Sequence, residues 1–190
     1  MYKYTPKHAW FLRSEIKSKL FNHIEKFQQN RILEIGCFEG LSSVFFADNL
    51  LNHSKSSLVC VDPFLKIEDN DHKKLLVDNI ENNFDYNIKN CQNSEKITVK
   101  KITSDEFFKI NNKTYNFIYI DGCHKEDFII RDMENSFGVL EKGGIMWMDD
   151  YRGGAVGNDT IKNAMDSVLK NHEGEYELIH EGYQLAIRKK

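Results

Sequence analysis

The 190 residues of this chain suffice for one domain with a single core, and its 26 basic and 29 acidic side chains leave a net charge of −3. This near balance argues against nucleic acid and membrane partners, which favour a broad positive surface, so we expect a small-molecule ligand. The sequence has no apolar run of the roughly 20 residues that cross a bilayer, and its start lacks the apolar core of a signal peptide. We therefore expect a cytoplasmic protein, and the four widely spaced cysteines, with no CxxC pair, predict reduced thiols.

The predicted elements alternate between helices and short apolar strands. Apolar residues at helical spacing over residues 7–28 predict an amphipathic helix within an N-terminal helical extension, residues 1–29. Five strand-like runs then alternate with helical periodicity: RILEIGC, SLVCVDPF, ITVKKIT, YNFIYIDG and GGIMWMDDY. This alternation predicts a single α/β domain, residues 1–190, with a parallel sheet covered by helices on both faces.

Two segments depart from this alternation. The last two runs, YELIHEG and YQLAIRK, are almost contiguous, which predicts an antiparallel hairpin at one edge of the sheet. Residues 65–95, between the second and third strands, form a long polar insertion of helix and loop. This insertion is suited either to cover a pocket or to contact a second subunit, and the second arrangement would make the protein a homodimer.

The first strand ends in a loop that contains Glu34, Gly36 and Gly40, followed by Ser42. Ligands of open parallel sheets bind beyond the carboxyl ends of the strands. Glycines let the backbone approach a ligand closely, and the helix that follows presents its N–H groups to an anion. A plain tight turn would also account for the glycines, so the ends of the other strands must distinguish the two interpretations.

Every later strand in the parallel part also ends in acidic or hydroxyl side chains. Asp62 follows the second strand, where a carboxylate can accept both ribose hydroxyls. The remaining polar residues at strand ends are Ser104, Asp105, Asp121, His124, Asp149 and Asp150. Any one of them is explained by helix capping, and for Asp105 capping and ligand binding are equally good explanations. Five successive strands with polar ends nevertheless indicate a ligand site along one rim of the sheet.

The motifs EIGCFEGLS, VDPF, TSDEFF, YIDGCH and LEKGGIMWMDDY, in this order, resemble those of class I S-adenosylmethionine-dependent methyltransferases. More narrowly, they are similar to the small O-methyltransferase family of sugar and natural-product enzymes, which is related to catechol O-methyltransferase. The resemblance implies a Rossmann-like sheet of seven mostly parallel strands in the order 3-2-1-4-5-7-6, with the last strand antiparallel. Phe38 replaces a glycine that many class members have, as a bulky residue does in the catechol-type branch.

The resemblance also implies a cofactor, S-adenosyl-L-methionine, and a role for each strand end. Glu34, Gly36, Gly40 and Ser42 would surround its methionine part, where the Glu34 carboxylate suits the ammonium group. Asp62 would bind the ribose. Ser104 and Asp105 would meet the adenine, whose amino group can donate to a carboxylate.

Three carboxylates, those of Asp121, Asp149 and Asp150, would repel one another unless a cation or a proton shares their site. Oxygen ligands suit Mg²⁺, and the resemblance implies a divalent metal here, although one of the adjacent aspartates could instead face solvent. His124 falls where catechol-type relatives have a catalytic lysine. It is a candidate catalytic base together with Asp121, or a partner in the metal site, and a plain loop histidine is the alternative.

We therefore predict an S-adenosylmethionine-dependent methyltransferase that methylates a hydroxyl group of a small molecule with the help of a divalent metal. Two other classes stay open. A dinucleotide-dependent oxidoreductase would bind NAD, although the GxxxG spacing lacks the middle glycine of GxGxxG. A non-catalytic module would bind S-adenosylmethionine without turnover.

Overall fold

The computed structural model describes residues 1–6, 9–64, 79–153 and 159–190. Its strands are Arg31–Ile35 (β1), Ser57–Val61 (β2), Ile97–Lys100 (β3), Tyr115–Ile120 (β4), Leu140–Met148 (β5), Tyr176–Glu181 (β6) and Leu185–Lys189 (β7). They form one sheet in the order β3-β2-β1-β4-β5-β7-β6. The predicted Rossmann-like fold and strand order are confirmed.

The first five strands pair in parallel, and β7 runs antiparallel to both β5 and β6. The hairpin forms because only a short turn separates β6 from β7, which leaves no room for the crossover that a parallel connection needs. The carboxyl ends of β1 to β5 consequently lie along one rim of the sheet, and the β6–β7 turn lies at the same rim.

Helices cover both faces of the sheet, as predicted. They are Ile16–Lys19 (α1), Leu41–Leu50 (α2), Ile80–Asn90 (α3), Ser104–Ile110 (α4), Glu126–Val139 (α5) and Thr160–Asn171 (α6). Alternate residues of each strand point to opposite faces, so Ile32 packs in the cluster that includes Phe46 of α2, whereas Leu33 packs in the cluster that includes Met133 of α5. All four side chains are fully buried.

The predicted helix over residues 7–28 is wrong as a continuous element, and residues 7 and 8 lie outside the described residues. The segment is divided into a 3-10 turn at Trp10–Arg13, α1 and a second 3-10 turn at Leu20–Asn22. Ser14 is extended, and the N–H of Ile16 donates to Oε1 of Gln184, 2.8 Å away, instead of to a preceding carbonyl of a helix. A contact with the end of the chain thus outweighs the local helical periodicity.

The predicted insertion, residues 65–95, falls partly outside the described residues, because residues 65–78 are not described. The described remainder contains α3 and a 3-10 turn at Ser94–Lys96. Within the described ranges, the structure has no helix of sufficient length and apolar character to cross a bilayer.

Candidate functional site

The hydrogen-bond ladder of the parallel sheet continues one residue past four strand ends and fixes the backbone of the residue there. The backbone N–H of each such residue donates to a carbonyl on the neighbouring strand at 2.8–3.1 Å. The four residues held in this way are Gly36 after β1, Asp62 after β2, Asp121 after β4 and Asp149 after β5. Their positions are therefore set by the sheet itself.

The glycine loop, residues 36–40, turns sharply between β1 and α2. Three of its residues have left-handed backbone conformations, Gly36 at φ 81°, Phe38 at φ 48° and Gly40 at φ 80°. A Cβ atom on Gly36 would lie 2.0 Å from the backbone oxygen of Asp121, which no side chain can tolerate. The glycine is thus required where this loop packs against the backbone after β4, as well as for the turn.

Asp62 ties the glycine loop to β2. Its Oδ2 atom accepts the N–H groups of Cys37 at 2.8 Å and Phe38 at 3.0 Å, and its Oδ1 atom accepts the N–H of Phe64 at 2.7 Å. A carboxylate has about four acceptor positions, so Asp62 retains capacity for a ribose hydroxyl. Its predicted role at the ribose stays a prediction.

Glu34 lies fully buried beneath α2, where the hydroxyl of Ser42 donates to Oε1 and that of Ser43 to Oε2. Burial raises the pKa of Glu34 to about 7, although the two hydroxyl groups oppose the shift. The residue has no exposed surface, and its carboxylate orients the two serines in the first turn of α2. Its predicted contact with the methionine part of the cofactor stays a prediction.

The end of β3 places Ser104 and Asp105 in the first turn of α4. Thr103 caps this helix through a reciprocal capping box with Glu106, so Asp105 is not its cap. The Asp105 carboxylate accepts from Nε of Arg131 at 3.2 Å. The sequence left two explanations open for Asp105. The structure excludes helix capping, and adenine binding stays a prediction.

The acid cluster, consisting of Asp121, His124 and Asp150, brings three ligand atoms within 4.8 Å of one another. Nε2 of His124 lies 2.9 Å from Oδ2 of Asp150. Asp149, predicted as a metal ligand, is not in this cluster: one of its oxygens accepts from the hydroxyl of Tyr119 at 2.7 Å and the other from the N–H of Asp150 at 2.8 Å. The group whose geometry could hold an ion thus consists of two aspartates and a histidine, and the role of Asp149 as a ligand stays a prediction.

The electrostatics of the acid cluster favour a proton or a cation. Burial raises the pKa of Asp121 well above its usual range, and the nearby Asp149 and Asp150 carboxylates raise it further. Burial and the Asp150 charge also raise the pKa of Asp149. A bound divalent ion would relieve this repulsion. Two carboxylates and an imidazole suit Mn²⁺ as well as Mg²⁺, because imidazole favours transition metals over Mg²⁺.

The sequence reasoning missed two tyrosines that hold the adjacent aspartates apart. Tyr119, buried in β4, donates to Asp149, and Tyr183 in the β6–β7 turn donates to Asp150. Asp150 has a left-handed φ of 57°, and its carboxylate has a different tyrosine partner from that of Asp149. The only sequence signal for Tyr183 is its place in the hairpin turn, which returns to the rim where β5 ends.

A second group of three ligand-type residues, Glu34, Cys37 and Cys60, lies in the core. Burial raises the pKa of both thiols, that of Cys37 well above its usual range, so they stay protonated, whereas thiolates are the metal ligands. Cys60 donates to Glu34, at 3.5 Å. Both cysteines are free thiols, in agreement with the predicted reduced state.

The parallel sheet carries a glycine loop after β1 and acids after β2, β4 and β5. Open α/β sheets bind their ligands at this rim, at the switch point of the strand order. A protein-family model described as "methyltransferase domain" matches residues 33–151, which is more than half of the chain. The chain belongs to this methyltransferase-domain family. No curated protein sequence matches it.

Solved structures share this fold at low sequence identity. A provisionally assigned rRNA methylase from Clostridium thermocellum has a TM-score of 0.70 and 12% identity, covering 91% of this chain and 93% of its own. TomG from Streptomyces achromogenes, an O-methyltransferase of tomaymycin synthesis in complex with SAM, has a TM-score of 0.63 and 15% identity, with 99% and 82% covered. An O-methyltransferase from Bacillus cereus in complex with SAH has a TM-score of 0.59 and 15% identity, with 99% and 83% covered.

Proposed function

We propose that this protein transfers the methyl group of S-adenosylmethionine to a hydroxyl group of a small molecule, with a divalent cation held at the acid cluster by Asp121 and Asp150, and with His124 as either the catalytic base or a third ligand. The observation that carries the proposal is the direct contact between the glycine loop and the acid cluster. A Cβ atom on Gly36 would lie 2.0 Å from the Asp121 backbone oxygen. A donor bound at the loop and an acceptor bound at the acids would thus be neighbours.

The glycine loop and Asp62 supply the donor half of the site. Gly36 and Gly40 let the loop turn and pack closely against the Asp121 backbone and the Phe84 ring, and the carboxylate of Asp62 holds the loop while keeping acceptor capacity. Methyl transfer from a sulfonium is an in-line displacement, which requires the acceptor oxygen about 3 Å from the methyl carbon. Rigid strand ends suit such positioning.

The acid cluster supplies the acceptor half. A divalent cation, when bound, lowers the pKa of an acceptor hydroxyl. His124 pairs with Asp150 at 2.9 Å, and imidazole is the side chain that most often serves as a general base. Tyr119 keeps Asp149 out of the cluster, so that Asp121 and Asp150 provide the carboxylate ligands.

The first experiment separates the classes of function by ligand binding. Calorimetry with S-adenosylhomocysteine and with NAD should give binding by the first and none by the second. Radiolabelled S-adenosylmethionine is then tested against a panel of hydroxylated small molecules and against RNA, with Mg²⁺ or Mn²⁺. Tight NAD binding would point to an oxidoreductase, binding without turnover to a non-catalytic module, and turnover of RNA alone would contradict the small-molecule acceptor.

The second experiment assigns His124. His124→Ala should reduce the rate by roughly 10²–10⁴ if the imidazole is the base, and Mn²⁺ affinity should then be largely kept. If the imidazole is a ligand, Mn²⁺ affinity falls too. His53→Ala is the matched control, because His53 lies in the loop between α2 and β2, at the opposite rim of the sheet. A wild-type rate in His124→Ala would remove this residue from the mechanism.

A further inference from the structure

The strap, residues 2–5, crosses α2 and α3 beside the glycine loop. The hydroxyl of Tyr2 donates to Asp48 of α2 at 2.8 Å, and the Lys3 ammonium lies 4.0 Å from the centre of the Tyr86 ring of α3. The strap therefore touches both helices that flank the loop.

Glu39, between Phe38 and Gly40 in the glycine loop, is the main anchor of the strap. Its side chain is almost completely buried, with the residue only 2% exposed. Oε2 accepts the N–H of Thr5 at 2.8 Å, and Oε1 accepts both the Thr5 hydroxyl and the Asn83 amide at 2.8 Å. A buried carboxylate needs such donors, so loss of the strap would leave Glu39 with one of three.

Asn87 of α3 forms the second anchor and is also fully buried. Its Oδ1 atom accepts the N–H of Lys3 at 2.6 Å, and its Nδ2 atom donates to the Lys3 carbonyl at 2.6 Å and to the Glu39 carbonyl at 2.8 Å. A single side chain thus joins the backbone of the strap to the backbone of the glycine loop. The strap cannot leave without unpairing buried polar groups on both sides.

We infer that Glu39 and Asn87 are positioning residues for the methyl donor, which couple docking of the strap to the conformation of the glycine loop. The inference rests on the proposed function, since it takes S-adenosylmethionine as the ligand of this loop. The loop contains three left-handed residues, including the non-glycine Phe38, and such a conformation persists only where its surroundings fix it. The strap supplies that fixation from one side and Asp62 from the other.

The test compares Thr5→Val with Thr5→Ser. Thr5→Val keeps the shape of the side chain but removes the hydroxyl bond to Glu39, whereas Thr5→Ser restores it. Calorimetry should show S-adenosylhomocysteine affinity roughly five- to fiftyfold weaker for Thr5→Val and near wild type for Thr5→Ser. Asn87→Ala should weaken the affinity at least as much. Reciprocally, saturating S-adenosylhomocysteine should slow hydrogen exchange of the Lys3 and Thr5 amides in the wild-type protein.

Ser56→Ala is the control for general destabilisation. Ser56 is buried and accepts the N–H of Asn30 at 2.9 Å, at the opposite rim of the sheet. Ser56→Ala should lower the melting temperature and leave the affinity for S-adenosylhomocysteine unchanged. Wild-type affinity in both Thr5→Val and Asn87→Ala, or an equal loss of affinity in Ser56→Ala, would overturn this inference and leave the proposed function intact. Absence of binding by the wild-type protein would overturn the proposed function as well.

Discussion

Replacing Glu34 with glutamine tests the chemistry beneath the glycine loop. The buried carboxyl has a pKa of about 7 in the folded protein against an ordinary value of 4.5. Between these two pH values the folded state holds a proton that the unfolded state has released, so stability falls as the pH rises through this window. A shift of this size corresponds to about 3 kcal/mol. Glutamine does not titrate, and its amide can both accept from one serine hydroxyl and donate to the other.

The measurement is urea unfolding of both proteins at pH 4.5 and pH 8. The stability of the wild type relative to Glu34→Gln should decrease by about 3 kcal/mol over this range, because the other titrating acids are common to both proteins. A stability difference that is the same at both pH values would show that Glu34 stays ionised, and would refute the role of burial. A difference that grows in favour of the wild type at pH 8 would show that the donors around the carboxylate, the two serine hydroxyls among them, outweigh burial.

Three further predictions concern the rim of the sheet. Asp62→Ala should weaken S-adenosylhomocysteine binding at least about tenfold, by loss of charge-assisted hydrogen bonds, and unchanged affinity in a folded variant by calorimetry would contradict the ribose role. Asp121→Asn should abolish Mn²⁺ binding and keep S-adenosylhomocysteine binding, both measured by calorimetry. The metal-free variant should be no less stable in urea than the wild type, because carboxylate repulsion is relieved. A clear loss of stability would mark Asp121 as a structural anchor. Tyr183→Phe should lower Mn²⁺ affinity about tenfold, because its hydroxyl orients Asp150, while the melting temperature should hardly change; unaltered Mn²⁺ affinity would exclude this role.

The sequence determined the features that depend on local pattern. Alternating apolar runs and helical periods specified the parallel sheet, and the short gap between YELIHEG and YQLAIRK specified the hairpin, because chain length limits how neighbouring strands connect. The polar residue that follows each strand could also be identified from the sequence. Parallel strands end at one rim and β4 neighbours β5, so Asp121 and Asp150 had to lie near one another once the strand order was known, with Asp62 two strands further along the rim.

Tertiary structure alone decided which atoms meet. The adjacent Asp149 and Asp150 are alike in sequence, and contacts from two distant tyrosines, Tyr119 and Tyr183, send them to different partners. Glu34 became a buried partner of serines because α2 packs over its face of β1. The helix expected over residues 7–28 is broken at the extended Ser14, and the N–H of Ile16, at the start of α1, donates to Gln184, 168 positions away. Each outcome depends on the free energy of satisfying a buried polar group across the fold, which local periodicity does not encode.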